Sequence, residues 1–277
     1  MKRADSFYVH GTTAVEQQRL TRLNQLINAA SLKELRLEGG EKILDVGSGL
    51  GQLTWALAGA AGPHGSVLGI ERSPEQIAVS RRADPDRGEL AAKLEFRQGD
   101  ALELPLASDE WGTFDLAHTR FLLEHVSDPV AVVRGMARAI RPGGRAVLED
   151  DDHGVVRLWP EPPGFPELWA AYLETYRRAG NDPYVGRRLV ALLAEAGLRP
   201  SRNSWLFFGS CAGSQDFTGY VENLVRILEG AQPHLLQVGF SAERFPPAIA
   251  AIEDWGRRPD SALWYSICWA EGIKPAA

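Results

Sequence analysis

Three glycines and two acids set out the chemistry available to this chain. In Ile43-Leu44-Asp45-Val46-Gly47-Ser48-Gly49-Leu50-Gly51-Gln52 a short apolar run breaks into glycines at every second residue. Glycines that follow a first parallel strand let the backbone approach a ligand closely. Glu71 ends the next apolar run, and Asp100 follows the third in Arg97-Gln98-Gly99-Asp100-Ala101. A carboxylate at Glu71 can accept both hydroxyl protons of a ribose, and Asp100 is placed to accept from an adenine amino group. One acid after a strand is ordinarily a cap or a solvated turn, so the recurrence at successive strand ends is the informative feature. A dinucleotide-binding turn requires Gly-x-Gly-x-x-Gly, and Gln52 occupies the third glycine position, which counts against a nicotinamide cofactor.

These groups need a scaffold that brings strand ends together. Strands are predicted at Lys42 to Val46, Val67 to Ile70, Lys93 to Arg97, Phe114 to His118 and Ala146 to Leu148. Helices are predicted between them: Gln52 to Ala60, a stretch capped by Ser73-Pro74 and running to Ala83, and Pro129 to Ala139. Alternation of this kind implies a parallel sheet. Ahead of it, apolar residues at helical spacing from Thr13 to Leu37 predict an N-terminal helical segment ended by Gly39-Gly40. After Asp152 prolines cluster, and six of the eight tryptophans lie beyond this point, marking an insertion. Helical patterns resume at Glu167 to Ala179 and Val185 to Ala196, then a strand at Trp205 to Phe208. Helices at Phe217 to Leu228 and Ala242 to Trp255 and a last strand at Ala262 to Trp269 complete the pattern.

The segment from Lys42 to Glu149 resembles the class I S-adenosylmethionine-dependent methyltransferases. Asp45-Val46-Gly47-Ser48-Gly49 is similar to their first motif, Gly69-Ile70-Glu71 to their second and Gly99-Asp100-Ala101 to their third. Ile140-Arg141-Pro142-Gly143-Gly144 is similar to the turn before their fifth strand. The resemblance implies a Rossmann-like α/β fold, a mostly parallel seven-stranded sheet flanked by helices, with an N-terminal helical lid and a helical insertion after strand five. It implies one domain: a lid over 1–40, a cofactor-binding core over 41–152, an aromatic insertion over 153–198, and strands and helices over 199–277 that complete the sheet and cap the substrate. S-adenosylmethionine is the implied cofactor, leaving as S-adenosylhomocysteine. Gly47 and Gly49 would flank its methionine portion, Glu71 would bind the ribose, and Asp100 with Ala101 would bracket the adenine; Asp45, Ser48, Gln52, Arg72 and Gly99 are expected at the cofactor as well. Thr119 and Arg120, after the fourth strand, would touch it as well. The opening Tyr8-Val9-His10-Gly11 with Arg19 resembles a leader of small-molecule members, which implies a hydrogen bond from Tyr8 and a carboxylate partner in Arg19.

Methyl transfer from a sulfonium asks mainly for alignment and exclusion of water, plus a base where the acceptor must lose a proton. His125 and His153 are the candidate bases, although a lone histidine is more often structural. The run Glu149-Asp150-Asp151-Asp152 suggests hard-cation ligands, but the fourth strand is followed by His118-Thr119 rather than an aspartate, so no metal is expected. Trp159, Phe165, Trp169, Tyr172 and Tyr176 suit the wall of an apolar pocket or ordinary core packing.

Composition narrows the partners. A formal net charge of −6 and a pI near 5.6 supply no basic field for nucleic acid. A nucleic-acid methyltransferase would also show an Asn/Asp-Pro-Pro-aromatic turn where this chain has His118-Thr119-Arg120-Phe121. Two cysteines, Cys211 and Cys268, are too few for a disulfide framework. No run is long and apolar enough to span a bilayer and no signal peptide opens the chain, so a cytoplasmic monomer or homodimer acting on a small molecule, such as a secondary metabolite, is expected. A nicotinamide-dependent oxidoreductase and a non-catalytic S-adenosylmethionine-binding protein are the competing readings.

Overall fold

The computed structural model describes residues 27–82 and 92–276. A helix over 27–35, α1, leads through Gly39-Gly40 into the first β-turn-α unit. There β1 (Lys42–Val46) is followed by α2 (Gln52–Ala61), β2 (Ser66–Glu71), α3 (Pro74–Ser80) and β3 (Lys93–Gln98). Next come β4 (Phe114–Arg120), α4 (Pro129–Ala139) and β5 (Ile140–Asp151). The helix starts obey local capping: Ser73 Oγ accepts the Gln76 N–H at 3.2 Å and Asp128 Oδ1 accepts that of Ala131 at 2.9 Å. Each cap is followed by a proline in the first turn, where no N–H is required.

The second half carries β6 (Arg157–Trp159), α5 (Phe165–Arg178), α6 (Leu189–Glu195) and β7 (Arg199–Phe207). It continues with β8 (Ser210–Cys211), α7 (Phe217–Gly230), α8 (Gln232–Gln237), α9 (Phe245–Gly256), β9 (Ala262–Trp264) and β10 (Ser266–Ile273). The main sheet has seven strands in the order β3-β2-β1-β4-β5-β10-β7. Pairing is parallel from β3 to β5 and antiparallel at β10. This is the Rossmann-like arrangement expected, with the order reversing between β1 and β4. Ligands settle at such a switch point, beyond the carboxyl ends of the strands.

Parallel strands covered on both sides read as continuous apolar runs. Accordingly Ile43 joins Leu57, Leu116 and Val147 on one face, whereas Leu44 and Val46 join Val132, Met136 and Leu148 on the other. Three features depart from the expectations. The last predicted strand is two strands that part at Tyr265, and β9 leaves the main sheet for a second one in the order β6-β9-β8. The helix predicted from Val185 opens as a 3-10 turn over Val185–Arg188. The short α8 escaped the periodicity because only Leu235 is buried on it. Among the described residues no helix is long and apolar enough to cross a membrane.

Candidate active site

The glycine turn does what its spacing suggests. Gly47, Gly49 and Gly51 all have positive φ, at 78°, 55° and 77°, which non-glycine residues enter only at a cost. At Gly51 space is also lacking, since a Cβ there would lie 2.7 Å from the side chains of Phe96 and Ser80. The turn is tied to β2 from both sides. Gly47 and Ser48 donate to the Ile70 carbonyl at 2.8 and 2.9 Å. Glu71 accepts the N–H of Gly49 at 3.1 Å and that of Ser73 at 2.8 Å.

A cavity of about 210 Å³ opens at these strand ends. Of the residues expected at a cofactor, Asp45, Gly47, Ser48, Gly49, Glu71, Arg72, Gly99, Asp100, Ala101 and Arg120 line it. Two others do not. Thr119 is fully buried and its hydroxyl donates to the Val46 carbonyl at 2.8 Å, because alternation along β4 turns it into the sheet while Arg120 faces the cavity. Gln52 starts α2 outside the lining, its Oε1 buried without a hydrogen-bond partner among the described residues. Tyr8 and Arg19 lie outside the described residues. The Ser48 hydroxyl is buried on the cavity wall and has no hydrogen-bond partner among them. An orphan donor, a glycine turn and carboxylates at two strand ends fit S-adenosylmethionine: Glu71 for the ribose, Asp100 for the adenine, the glycine turn for the methionine portion.

Beneath the turn lies a charged network that the motifs did not announce. His118 on β4 is completely buried between Asp45 Oδ1 on β1, 2.9 Å from Nδ1, and Glu149 Oε1 on β5, 3.3 Å from Nε2. Burial disfavours the imidazolium, yet hydrogen bonds and charge from both carboxylates outweigh it and lift the His118 pKa to about 9. Burial likewise opposes ionised Glu149, but His118, Arg120 and Ser31 hold its carboxyl below the ordinary range. Thr54 donates to Asp45 at 2.6 Å and Ser31 to Glu149 at 2.7 Å. Arg120 completes the network, donating to Ser31 Oγ at 3.0 Å and Asn28 Oδ1 at 2.8 Å on α1. One set of charges thus joins β1, β4, β5 and the leading helix at the cavity floor.

A second cavity, of about 100 Å³, adjoins the first and shares Phe121 and His125 with it. Phe121 adopts φ 52°, a left-handed conformation costing of order 1–3 kcal/mol. Its neighbours over-determine it: Phe121 N–H donates to the Glu149 carbonyl at 3.0 Å, and Asp150 Oδ2 accepts the next two amides, of Leu122 and Leu123, at 3.1 and 2.7 Å. The backbone after β4 is thereby bent into the boundary between the cavities.

Aromatic side chains from α5, α7 and the β9–β10 junction wall this chamber, among them Trp169, Tyr172, Tyr176, Tyr220 and Tyr265. Glu124 is its polar centre. Its Oε2 lies 2.9 Å from His153 Nε2 and its Oε1 lies 3.3 Å from His125 Nε2, so one carboxylate orients both candidate histidines. The Tyr265 hydroxyl sits 3.2 Å from His153 Nδ1 and also hydrogen-bonds Asp151. Burial keeps His153 less basic than usual, with Asp151 and Asp152 only partly offsetting it. Burial, with the charge of Glu124 and Asp151, raises the carboxyl of Asp150 behind them. His153 therefore stands as a neutral imidazole with both nitrogens engaged. Glu124 and the charge of His118 were not legible in the sequence; their only local signal is polarity beside the end of β4.

The comparisons agree with this geometry. A family model described as a methyltransferase domain matches residues 37–162. A protein encoded in transposon TN4556 of Streptomyces fradiae, described as uncharacterized, is 34% identical over 61% of this chain, and the chain spans only about half of its length, 48%. A demethylmenaquinone methyltransferase of Halalkalibacterium halodurans is 32% identical over 61% of this chain and 71% of the relative. An S-adenosylmethionine-dependent methyltransferase of Methanosarcina mazei shares the fold, with a TM-score of 0.56 over 89% of this chain and 98% of that one at 15% identity. The family-model match, which runs across the glycine turn and both strand-end acids, and the relative at 32% identity show that the chain belongs to the class I S-adenosylmethionine-dependent methyltransferases, with S-adenosylmethionine as its cofactor.

Proposed function

We propose that this chain methylates a small molecule held in the aromatic chamber. The observation that supports the reading is the meeting of the two cavities at Phe121 and His125: an acceptor held in the second would lie beside a cofactor held in the first. When bound, S-adenosylmethionine supplies an electrophilic methyl group on a charged sulfur. The chain's own residues do the rest. Glu71, Asp100 and the glycine turn orient the nucleoside and methionine parts, while Arg120 and the buried His118 network hold the floor rigid. Phe121 and the chamber aromatics exclude water, which favours an in-line approach over hydrolysis. Glu124, His125 and His153 form the proton-accepting group; His153 acts through the pair it makes with Glu124, since neither ring nitrogen stands open.

The related demethylmenaquinone methyltransferase is named for a quinone acceptor. That acceptor does not carry over on similarity alone, because the methyltransferase-domain match ends at residue 162, ahead of α5, α7 and β9, which wall the chamber. Calorimetry with S-adenosylhomocysteine and with NAD tests the reading. Binding of the first and not the second is expected, and a crystal of the complex should place the sulfur facing Phe121 and His125. Binding of NAD alone, or a sulfur turned away from the chamber, would overturn it.

A further inference from the structure

A strand at the edge of a sheet presents a row of backbone donors and acceptors to whatever comes alongside, and proteins ordinarily blunt such edges with lysine, proline or a bulge. Strand β7 closes one side of the main sheet, and among the described residues no strand pairs with its outer edge. Its first residues are blunted by Arg199, Pro200 and Arg202, beside the register irregularity at Glu271 and Gly272. Its second half is not, since Asn203-Ser204-Trp205-Leu206-Phe207 holds no charge and no proline. Bonds alternate along an antiparallel ladder, and Phe208 N–H donates inward to the Tyr265 carbonyl at 2.9 Å. The N–H and C=O groups of Asn203, Trp205 and Phe207 therefore point to the open edge.

The same segment carries an apolar surface. Trp205 and Phe207 stand on one face of β7, and the Phe207 ring centroid lies 6.0 Å from that of Trp264 on β9. Trp264 pairs with Arg157, and Trp159 with Ala262, across β6 and β9, so Trp159 and Trp264 are diagonal neighbours on one face. These four aromatic residues are between 57% and 70% exposed. At ~200 Å² for a whole aromatic side chain, they leave roughly 500 Å² of aromatic surface in water, more than half of the ~800 Å² that each partner contributes to a standard interface.

A bilayer surface and another polypeptide both suit an apolar strip. The hydrocarbon of a bilayer offers no partner to the outward N–H and C=O groups, and the formal net charge of −6 opposes anionic lipid. A second copy of the chain meets both conditions. Turned about a twofold axis level with Trp205, the strand is complementary to itself. Trp205 exchanges two hydrogen bonds with Trp205 of the partner subunit, and Asn203 pairs with Phe207 of the partner subunit on either side. Aromatic side chains of the two copies then adjoin on one face, and the twofold closes the assembly at two copies.

We propose that the chain forms a homodimer in which the β7 edges of two copies pair antiparallel over Asn203 to Phe207, joining the two seven-stranded sheets and covering the aromatic surface beside them. The inference does not depend on the methyl-transfer reading. It bears on the chamber all the same: Leu263 of β9 lines that cavity, while Ala262 and Trp264 on the same strand face the other way, so the partner copy backs the chamber wall.

Sedimentation velocity of the full chain over a dilution series tests this. A species of twice the chain mass is expected, with a dissociation constant in or below the micromolar range that interfaces of standard size reach. Asn203→Pro removes an outward N–H from each copy, keeps every aromatic residue and spares the bonds to β10, a position where an edge strand accepts proline. It should weaken the dimer at least a hundredfold, as should Trp205→Lys, which puts a charge on the edge. S-adenosylhomocysteine affinity, read by calorimetry, should stay within twofold in both variants and so report that they fold. A chain that is monomeric throughout overturns the proposal, and a monomer that floats with phosphatidylcholine vesicles, and ceases to in Trp205→Lys, would assign the surface to a membrane instead. A dimer left intact by Asn203→Pro overturns it too, because association through the aromatic surface alone does not need that N–H, and so does growth beyond two copies. Should both variants misfold, hydrogen exchange on the unaltered chain decides: the amides of Trp205 and Phe207 should exchange at least tenfold more slowly in concentrated than in dilute solution, and equal rates would end the proposal.

Discussion

The cofactor cavity and the acceptor chamber sit side by side but are built in opposite ways. The first is made largely of backbone: glycine amides, turns after β1, β2 and β3, and acids at a strand end, Glu71 closing β2 and Asp100 two residues past β3. Each piece follows from a few adjacent residues, such as the positive φ values at Gly47, Gly49 and Gly51. The second is made of side chains from far apart in the chain, with Glu124 after β4, His153 after β5, Tyr172 on α5 and Tyr265 between β9 and β10. A site made of backbone tolerates change in the rest of the chain, and a site made of distant side chains can be re-cut for a new acceptor without disturbing the first. On the proposed reading, the separation of cofactor binding from acceptor choice is built into the architecture, with Phe121 and His125 as the shared wall.

The largest effect should come from breaking the backbone site. Gly49→Val forces a β-branched residue to φ 55°, where only glycine is at ease. S-adenosylhomocysteine affinity should fall more than a hundredfold by calorimetry, with the circular dichroism spectrum of the fold retained. Asp100→Ala removes a charged acceptor at the adenine end and should weaken the same ligand by about 10- to 100-fold, following the 1.5–3 kcal/mol of such bonds. Wild-type affinity in both variants would defeat the assignment of the cavity.

The network under the floor gives a pH signature that neither cavity shows. The pKa of His118 is raised from 6.5 to about 9. Its contribution to stability is therefore complete below pH 6.5 and drains away as pH rises through 9, by about 3 kcal/mol. Thermal melts from pH 6 to 10 should show this loss in the unaltered chain and a flatter profile in His118→Gln. A parallel pair of profiles would mean that the imidazole is not charged in the folded state.

Filling the chamber should leave the cofactor untouched. Ile227→Phe intrudes on the cavity wall, and acceptor turnover should fall at least tenfold while S-adenosylhomocysteine affinity stays within twofold. A matched loss of both would erase the separation drawn above. The smallest effect belongs to Tyr172→Phe, which deletes the 3.0 Å bond between the Tyr172 and Tyr176 hydroxyls. It should cost about 1 kcal/mol of stability, read from denaturant midpoints, without altering cofactor affinity.

The residues alone determined the cofactor half, because a turn, a cap and an apolar run are each fixed by neighbours in the chain. Ser73-Pro74 announced one helix start, and Ile43 to Gly51 announced the strand and its glycine turn. Alternating strands and helices implied the parallel sheet whose carboxyl edge gathers Glu71 and Asp100. Only the folded chain decided the rest. That Thr119 turns into the sheet while Arg120 faces the cavity depends on the side-chain alternation along β4, and the three-way contact of Asp45, His118 and Glu149 depends on which strands become neighbours. The pairing of His153 with Glu124, 29 residues away, and with Tyr265, 112 residues away, and the split of the last strand at Tyr265 arise from packing between separate segments. Local chemistry carries no record of such meetings, since they are selected by the burial of apolar surface over the whole chain rather than by any one stretch of it.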